Sequence, residues 1–192
     1  MNTIEKNIEN KIEIKNSKFI TLLITINNNS DALKELENVK YLYPNASHYC
    51  YAYILNDYKK CSDDGEPSKT AGAPILKVLE ANNLTNVLAV VVRYFGGILL
   101  GTGGLTRAYS KSVKEALKMT NIIELIEGTN IDIYFKYQYE QDIDYLIKNE
   151  NIIKKDYNEI IHYNLNTTED ILNKIINKLD NYSINNNVFI KK

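Results

Sequence analysis

Tryptophan is absent from this 192-residue chain, and only two cysteines, two histidines and three prolines occur. Cys50 and Cys61 form no CxxC pair, and so few Cys and His leave no set for a structural zinc site. A disulfide-stapled secreted scaffold is excluded for the same reason, and free thiols in a reducing cytoplasm are expected. No apolar run approaches the roughly 18 residues that a membrane span needs. The opening residues, MNTIEKNIENK, carry charge and no apolar core, so they do not read as a signal peptide.

What is present is the composition of an ordinary globular protein, 44% hydrophobic and 24% charged. Tyrosine (15) far outnumbers phenylalanine (4), which we read as compositional drift together with the abundant Asn and Ile. The net charge of −1 is unevenly placed. Residues 1–120 hold 15 Lys and Arg against 12 Asp and Glu, whereas residues 121–192 hold 8 against 12. Only Gly128 lies beyond residue 104, and every proline precedes residue 75. The shift marks a boundary, placed between residues 122 and 123, and divides the chain into domains 1–122 and 123–192.

Along the first domain, 3–14 and 18–26 read as strands joined at Lys15 and Asn16, the second with clear period-two alternation. Ser30 or Asp31 is expected to cap a helix to about residue 40, with Leu33, Leu36 and Val39 facing inward. An aromatic strand follows at 48–55, then a polar loop at 56–66. A helix over 70–81 must begin near 71–73, because Pro74 is tolerated only in a first turn. The run 87–92 is apolar throughout, as for a strand buried on both faces. A glycine-rich turn leads to a helix expected over 105–119. In the second domain the pattern reads strand, helix, strand, strand, helix, strand, the βαββαβ order of the ferredoxin-like plan.

The glycine-rich turn, with Gly96, Gly97, Gly101, Gly103 and Gly104, invites a nucleotide reading that fails on detail. Gly96 and Gly101 have P-loop spacing, but Thr102 occupies the position of the required Lys. A dinucleotide fingerprint needs glycine where Thr106 stands. No nucleotide or other cofactor is therefore expected. Two readings remain: bare backbone N–H groups of Gly101, Gly103 and Gly104 ahead of a helix, able to hold an anion, or glycines that let that helix pack closely. On the helix, Arg107, Lys111, Lys114 and Lys118 share one face about 16 Å long. Glu115 partly neutralises the stripe by pairing with Lys111 or Lys118, and what is left is either a solvated face or a track for backbone phosphates.

Arg93 ends a buried strand and needs a counter-charge, for which Asp63, Asp64 and Glu66 are the candidates. Three carboxylates in four residues, with His48 nearby by topology, also suit a hard cation or acid–base chemistry. An EF-hand pattern is missing, and no nucleophile–base set can be assembled from His48 and His162. Neither a catalytic residue nor a metal ligand is assigned.

Three blocks at matching spacing, HYCYA at 48–52, DDGEP at 63–67 with TAG at 70–72, and VVVRYFGGILLGTGGL at 90–105, resemble the YigZ/IMPACT family. The motifs cover about residues 15–118; beyond residue 127 only the order of elements is similar to bacterial members. The resemblance implies an α+β protein: an N-terminal domain like the second domain of a small-subunit ribosomal protein, then a ferredoxin-like domain arranged as in elongation factor G. His48, Asp63, Asp64, Glu66, Arg93, Gly96 and Gly97 belong to the shared motifs. Lys69 departs from them, standing where a small residue, often Gly, is expected.

The function implied by the resemblance is binding of RNA or the ribosome, with modulation of translation or its stress response, and partners in the translation apparatus. Eukaryotic IMPACT acts through protein partners by means of a different N-terminal domain. The residues expected to contact phosphate are Arg107, Lys111 and Lys114, with Gly101, Gly103 and Gly104 beside them. The competing expectations are a small phosphate-handling hydrolase built on the acidic loop, and a protein-binding adaptor using the acidic second domain.

Overall fold

The computed structural model describes residues 1–191, which divide into two units, Met1–Glu124 and the remainder from Leu125. In the first unit, β1 (Asn2–Ile4), β2 (Ile8–Ile14) and β3 (Ser17–Thr25) come from the alternating N-terminal stretch. Lys15 and Asn16 turn β2 into β3 with φ of 47° and 61°. Two positive φ angles in a two-residue loop match the twist of antiparallel strands.

Helix α1 (Asn29–Leu42) starts earlier than the Ser30 or Asp31 cap expected. Asn28 Oδ1 accepts from Asp31 N at 2.9 Å while Asp31 Oδ2 accepts from Asn27 N at 3.0 Å, a reciprocal arrangement resembling a capping box. Its buried face is Ala32, Leu36 and Val39; Leu33 points outward. Strand β4 (His48–Leu55) then pairs with β5 (Tyr58–Ser62) through a tight turn at Asn56. The stretch read as a polar loop thus contains an edge strand. Tyr58, Lys59, Lys60 and Cys61 are all exposed, which erases alternation and suits an edge that must not recruit another strand.

Helix α2 (Gly72–Ala81), strand β6 (Val87–Tyr94) and helix α3 (Gly101–Leu117) complete the sheet unit. The strand order is β2-β3-β6-β4-β5, antiparallel throughout, with β6 at the centre. Val87, Ala89 and Val91 face the core formed with α2 and α3, and Leu88, Val90 and Val92 face the core formed with α1. That double burial explains the uninterrupted apolar run. α3 begins four residues before the expected Leu105, so Gly101, Gly103 and Gly104 form its first turn and do not precede it. Low intrinsic helix propensity hides such a start from a sequence reading.

Strand β7 (Ile122–Phe135) crosses the boundary, its first three residues pairing with β1 in the first unit. In the second unit it is followed by a 3-10 turn at Tyr137–Tyr139, α4 (Glu140–Leu146), β8 (Asn151–Tyr157), β9 (Ile161–Thr167), α5 (Glu169–Ile175), a 3-10 turn at Ile176–Lys178 and β10 (Asn181–Lys191). The antiparallel order β10-β7-β9-β8 is that of a ferredoxin-like sheet. Ile131, Ile133, Phe135, Ile161, Tyr163 and Leu165 supply one face of the core, and Ile143, Ile147, Leu172 and Ile175 close it. The chain is a mixed α/β protein of two domains, each built on an antiparallel sheet.

Candidate functional site

The three motif blocks meet at one end of the first sheet. His48 opens β4 directly opposite Arg93 on β6, and the 63–72 segment folds across them. Arg93 Nη1 donates to Glu66 Oε1 at 2.5 Å, and Tyr109 Oη on α3 donates to the same oxygen at 2.7 Å. Arg93 Nη2 lies 3.4 Å from Ser17 Oγ, and its guanidinium packs between Phe19 and Phe95 at 5.5 and 5.6 Å from the ring centroids. Both partners of the ion pair are buried, Arg93 to 5% and Glu66 to 8% exposure. Of the three candidate counter-charges, Glu66 is the one that meets Arg93.

The two aspartates have other tasks. Asp63 Oδ1 accepts from Ala71 N and Gly72 N at 3.0 and 2.8 Å, and its Oδ2 accepts from Lys69 N at 2.7 Å. It therefore caps α2 from the preceding loop, at a terminus where the backbone donors otherwise lack partners. Burial pushes the Asp63 carboxyl up, but the backbone donors of Lys69, Gly72 and Ala71 outweigh it and hold the group below its ordinary range. Asp64 Oδ2 accepts from Tyr49 N at 2.6 Å, and Asp64 O accepts from His48 Nδ1 at 2.8 Å. Lys69 has φ of 62°, so glycine is the residue this backbone favours, and the departure at 69 has a conformational meaning.

Cys50 is buried beside this network, 2.9 Å from Asp63 O and 3.3 Å from Tyr109 Oη. Burial pushes its thiol up to about 12, which keeps it protonated and poorly nucleophilic. His48 Nε2 sits 3.9 Å from Glu66 Oε2, beyond hydrogen-bond length. Among the described residues no group of three or more His, Cys, Asp or Glu is placed to hold a metal ion. The arrangement fixes a corner of the fold; its charges face one another.

The glycines separate into two kinds. A Cβ on Gly96 would fall on the backbone of Asn16 and Ser17, and one on Gly72 would lie 2.7 Å from Ser62 O. Gly97 and Gly101 have φ of 83° and 69° with open space beside them. At Gly103 the nearest neighbour of a Cβ would be Arg107 Nη1 at 3.5 Å, the end of a flexible side chain. A Cβ on Gly104 would lie 3.1 Å from Leu100 Cβ. Close packing of helix on strand, one of the two readings of this turn, therefore does not account for Gly103.

The basic residues occupy the outer face of α3. Arg107, Lys111 and Lys114 are exposed and border an open groove of about 500 Å³ that also touches Thr106, Ser110, Glu115 and Lys118. Lys118 pairs with Glu115 at 2.8 Å, whereas Arg107, Lys111 and Lys114 form no salt bridge among the described residues. The ion-pair corner and the basic face thus belong to the same domain and share α3, which contributes Tyr109 inward and Arg107 outward.

A polar cluster in the second domain escaped the sequence reading. His162 Nε2 lies 2.6 Å from Asp132 Oδ1 and its Nδ1 3.1 Å from Asp156 Oδ2, while its ring stacks on Tyr134 at 4.6 Å. Asn130, Asn164 and Asn166 continue the network across β7 and β9. The signal was the period-two spacing of 130, 132, 134 and 162, 164, 166, which alternates with the core residues.

A two-domain α/β architecture with this motif-bearing corner defines the class. The Impact N-terminal domain family matches residues 15–117. IMPACT family member YvyE of Bacillus subtilis (strain 168) is 45% identical over 125 residues, 64% of this chain and 58% of that protein. IMPACT family member YigZ of Escherichia coli (strain K12) is 37% identical over 156 residues, 78% of this chain and 76% of its own. A crystal structure described as that of a hypothetical protein superposes with a TM-score of 0.67 at 31% identity, covering 92% of this chain and 91% of its own. The match to the Bacillus relative thus spans 58% of that relative's length. The chain belongs to the IMPACT family.

Proposed function

We propose that this protein is a non-catalytic, cytoplasmic factor that binds structured RNA or the ribosome and modulates translation or its stress response. The observation that carries the reading is the outer face of α3, where Arg107, Lys111 and Lys114 stand together along an open groove whose one carboxylate, Glu115, is bonded to Lys118 and only partly offsets their charge. Adjacent basic side chains along a helix suit the regular negative charge of a nucleic-acid backbone. Gly101, Gly103 and Gly104 add the backbone N–H groups of the first helical turn, which favour an anion. Family membership supports the same direction through the translation-related role that the resemblance implies.

A hydrolase reading has less support. Asp63, Asp64 and Glu66 accept hydrogen bonds from the chain itself, and Cys50 holds its proton. The test is co-sedimentation of the full chain with ribosomes at low salt. Arg107→Glu with Lys111→Glu is expected to abolish it while leaving the urea unfolding midpoint within experimental error. Three phosphate contacts predict a salt dependence of about −2 to −3 in log K against log salt. No co-sedimentation of the parent protein, or none lost in the double variant, removes the reading.

A further inference from the structure

The loop at 95–100 between β6 and α3 is firmly fixed at its base and apolar at its tip. Phe95 N donates to Ser47 Oγ at 3.0 Å and Gly96 N to Ser17 Oγ at 3.1 Å. Phe95 rests one face on the buried Arg93 guanidinium. Leu100 packs against the core under α3, so an apolar residue in this loop can reach cover. Phe95, Ile98 and Leu99 do not: they are 47%, 45% and 83% exposed. Single exposed apolar residues are ordinary, but three within five residues at the mouth of a basic helix form a patch.

The surroundings select the occupant. No acidic residue lies between Glu80 and Glu115, so the chain from the loop through Lys114 carries charge of one sign. Three side chains are too small a core for a protein interface, which buries about 800 Å² per partner. An anchored aromatic ring with one face free suits a base, since every base presents a π-face. We propose that the 95–99 tip receives an unpaired nucleobase of an RNA whose phosphates lie along the basic face of α3. This rests on the RNA reading above and adds what kind of RNA is preferred.

Fluorescence anisotropy with the full chain tests it, using a labelled RNA hairpin whose loop holds unpaired purines and a fully paired RNA duplex of equal phosphate number. The hairpin is expected to bind roughly tenfold more tightly, and Leu99→Ser or Phe95→Ala to remove most of that preference while changing duplex affinity by less than about twofold. The Leu99 side chain is 83% exposed, so Leu99→Ser stays informative if Phe95→Ala loosens Arg93. Equal affinity for the two RNAs overturns the proposal and leaves the RNA reading standing, as does a preference that survives both substitutions. Binding of neither RNA overturns both. Flotation with phosphatidylglycerol vesicles that is lost in Leu99→Ser, without preference between the RNAs, assigns the tip to lipid and likewise overturns the proposal.

Discussion

Two charged regions of the first domain lie on opposite sides of one helix and treat charge in opposite ways. At the sheet end, Arg93, Glu66 and Tyr109 are buried and bonded to one another. On the outer face of α3, Arg107, Lys111 and Lys114 are exposed to solvent and form no salt bridge among the described residues, Glu115 beside them being bonded to Lys118. Removing a buried charge from its counter-charge is costly, whereas an exposed cation loses little when a neighbour goes. Residues that identify the family in the sequence therefore need not be the residues that meet a partner. In the 63–67 block they hold the platform on which the open face stands.

The largest expected effect probes the buried side. Glu66→Ala leaves Arg93 and Tyr109 without their shared acceptor, and is expected to cost about 3–5 kcal/mol in urea unfolding. Lys111→Ala on the open face is expected to stay within about 0.5 kcal/mol. Similar losses for the two substitutions would erase the contrast between the regions.

The second contrast concerns glycine. Gly96→Ala would place a methyl on the Asn16–Ser17 backbone, which a turn with two positive φ angles cannot easily yield. A loss of about 2–3 kcal/mol in the same unfolding measurement is expected. A neutral result would mean that the loop, and with it the Phe95 platform, is looser than the contacts imply.

Much of the platform was legible in the residues. The apolar run at 87–92 marked the central strand because both its faces are buried, and Pro74 limited where α2 can start. The need of Arg93 for a carboxylate was legible from its position at the end of that strand. Which carboxylate was not, because Asp63, Asp64 and Glu66 differ only in where the 63–72 fold points them. β5 was missed because an exposed edge strand has no buried face to alternate with. The start of α3 was missed because helix propensity weighs against three glycines in one turn, and the His162 cluster because its members lie on three different strands, β7, β8 and β9.

Gly103 gives a small change in stability of the opposite sign to Glu66 and Gly96, and the sharpest division between the two regions. Its φ is not in the left-handed region, and only the flexible end of Arg107 lies near the space a methyl would fill. Glycine in a helix is disfavoured relative to alanine, so Gly103→Ala is expected to stabilise the fold by a few tenths to about 1 kcal/mol. If the bare backbone instead serves the approach of a phosphate, the same methyl stands between the first-turn N–H groups and the anion, and RNA affinity falls as stability rises. Opposite signs in urea unfolding and RNA anisotropy would mark the residue as kept for a partner. A gain in stability with unchanged affinity would confine the partner to the side chains from Arg107 onward.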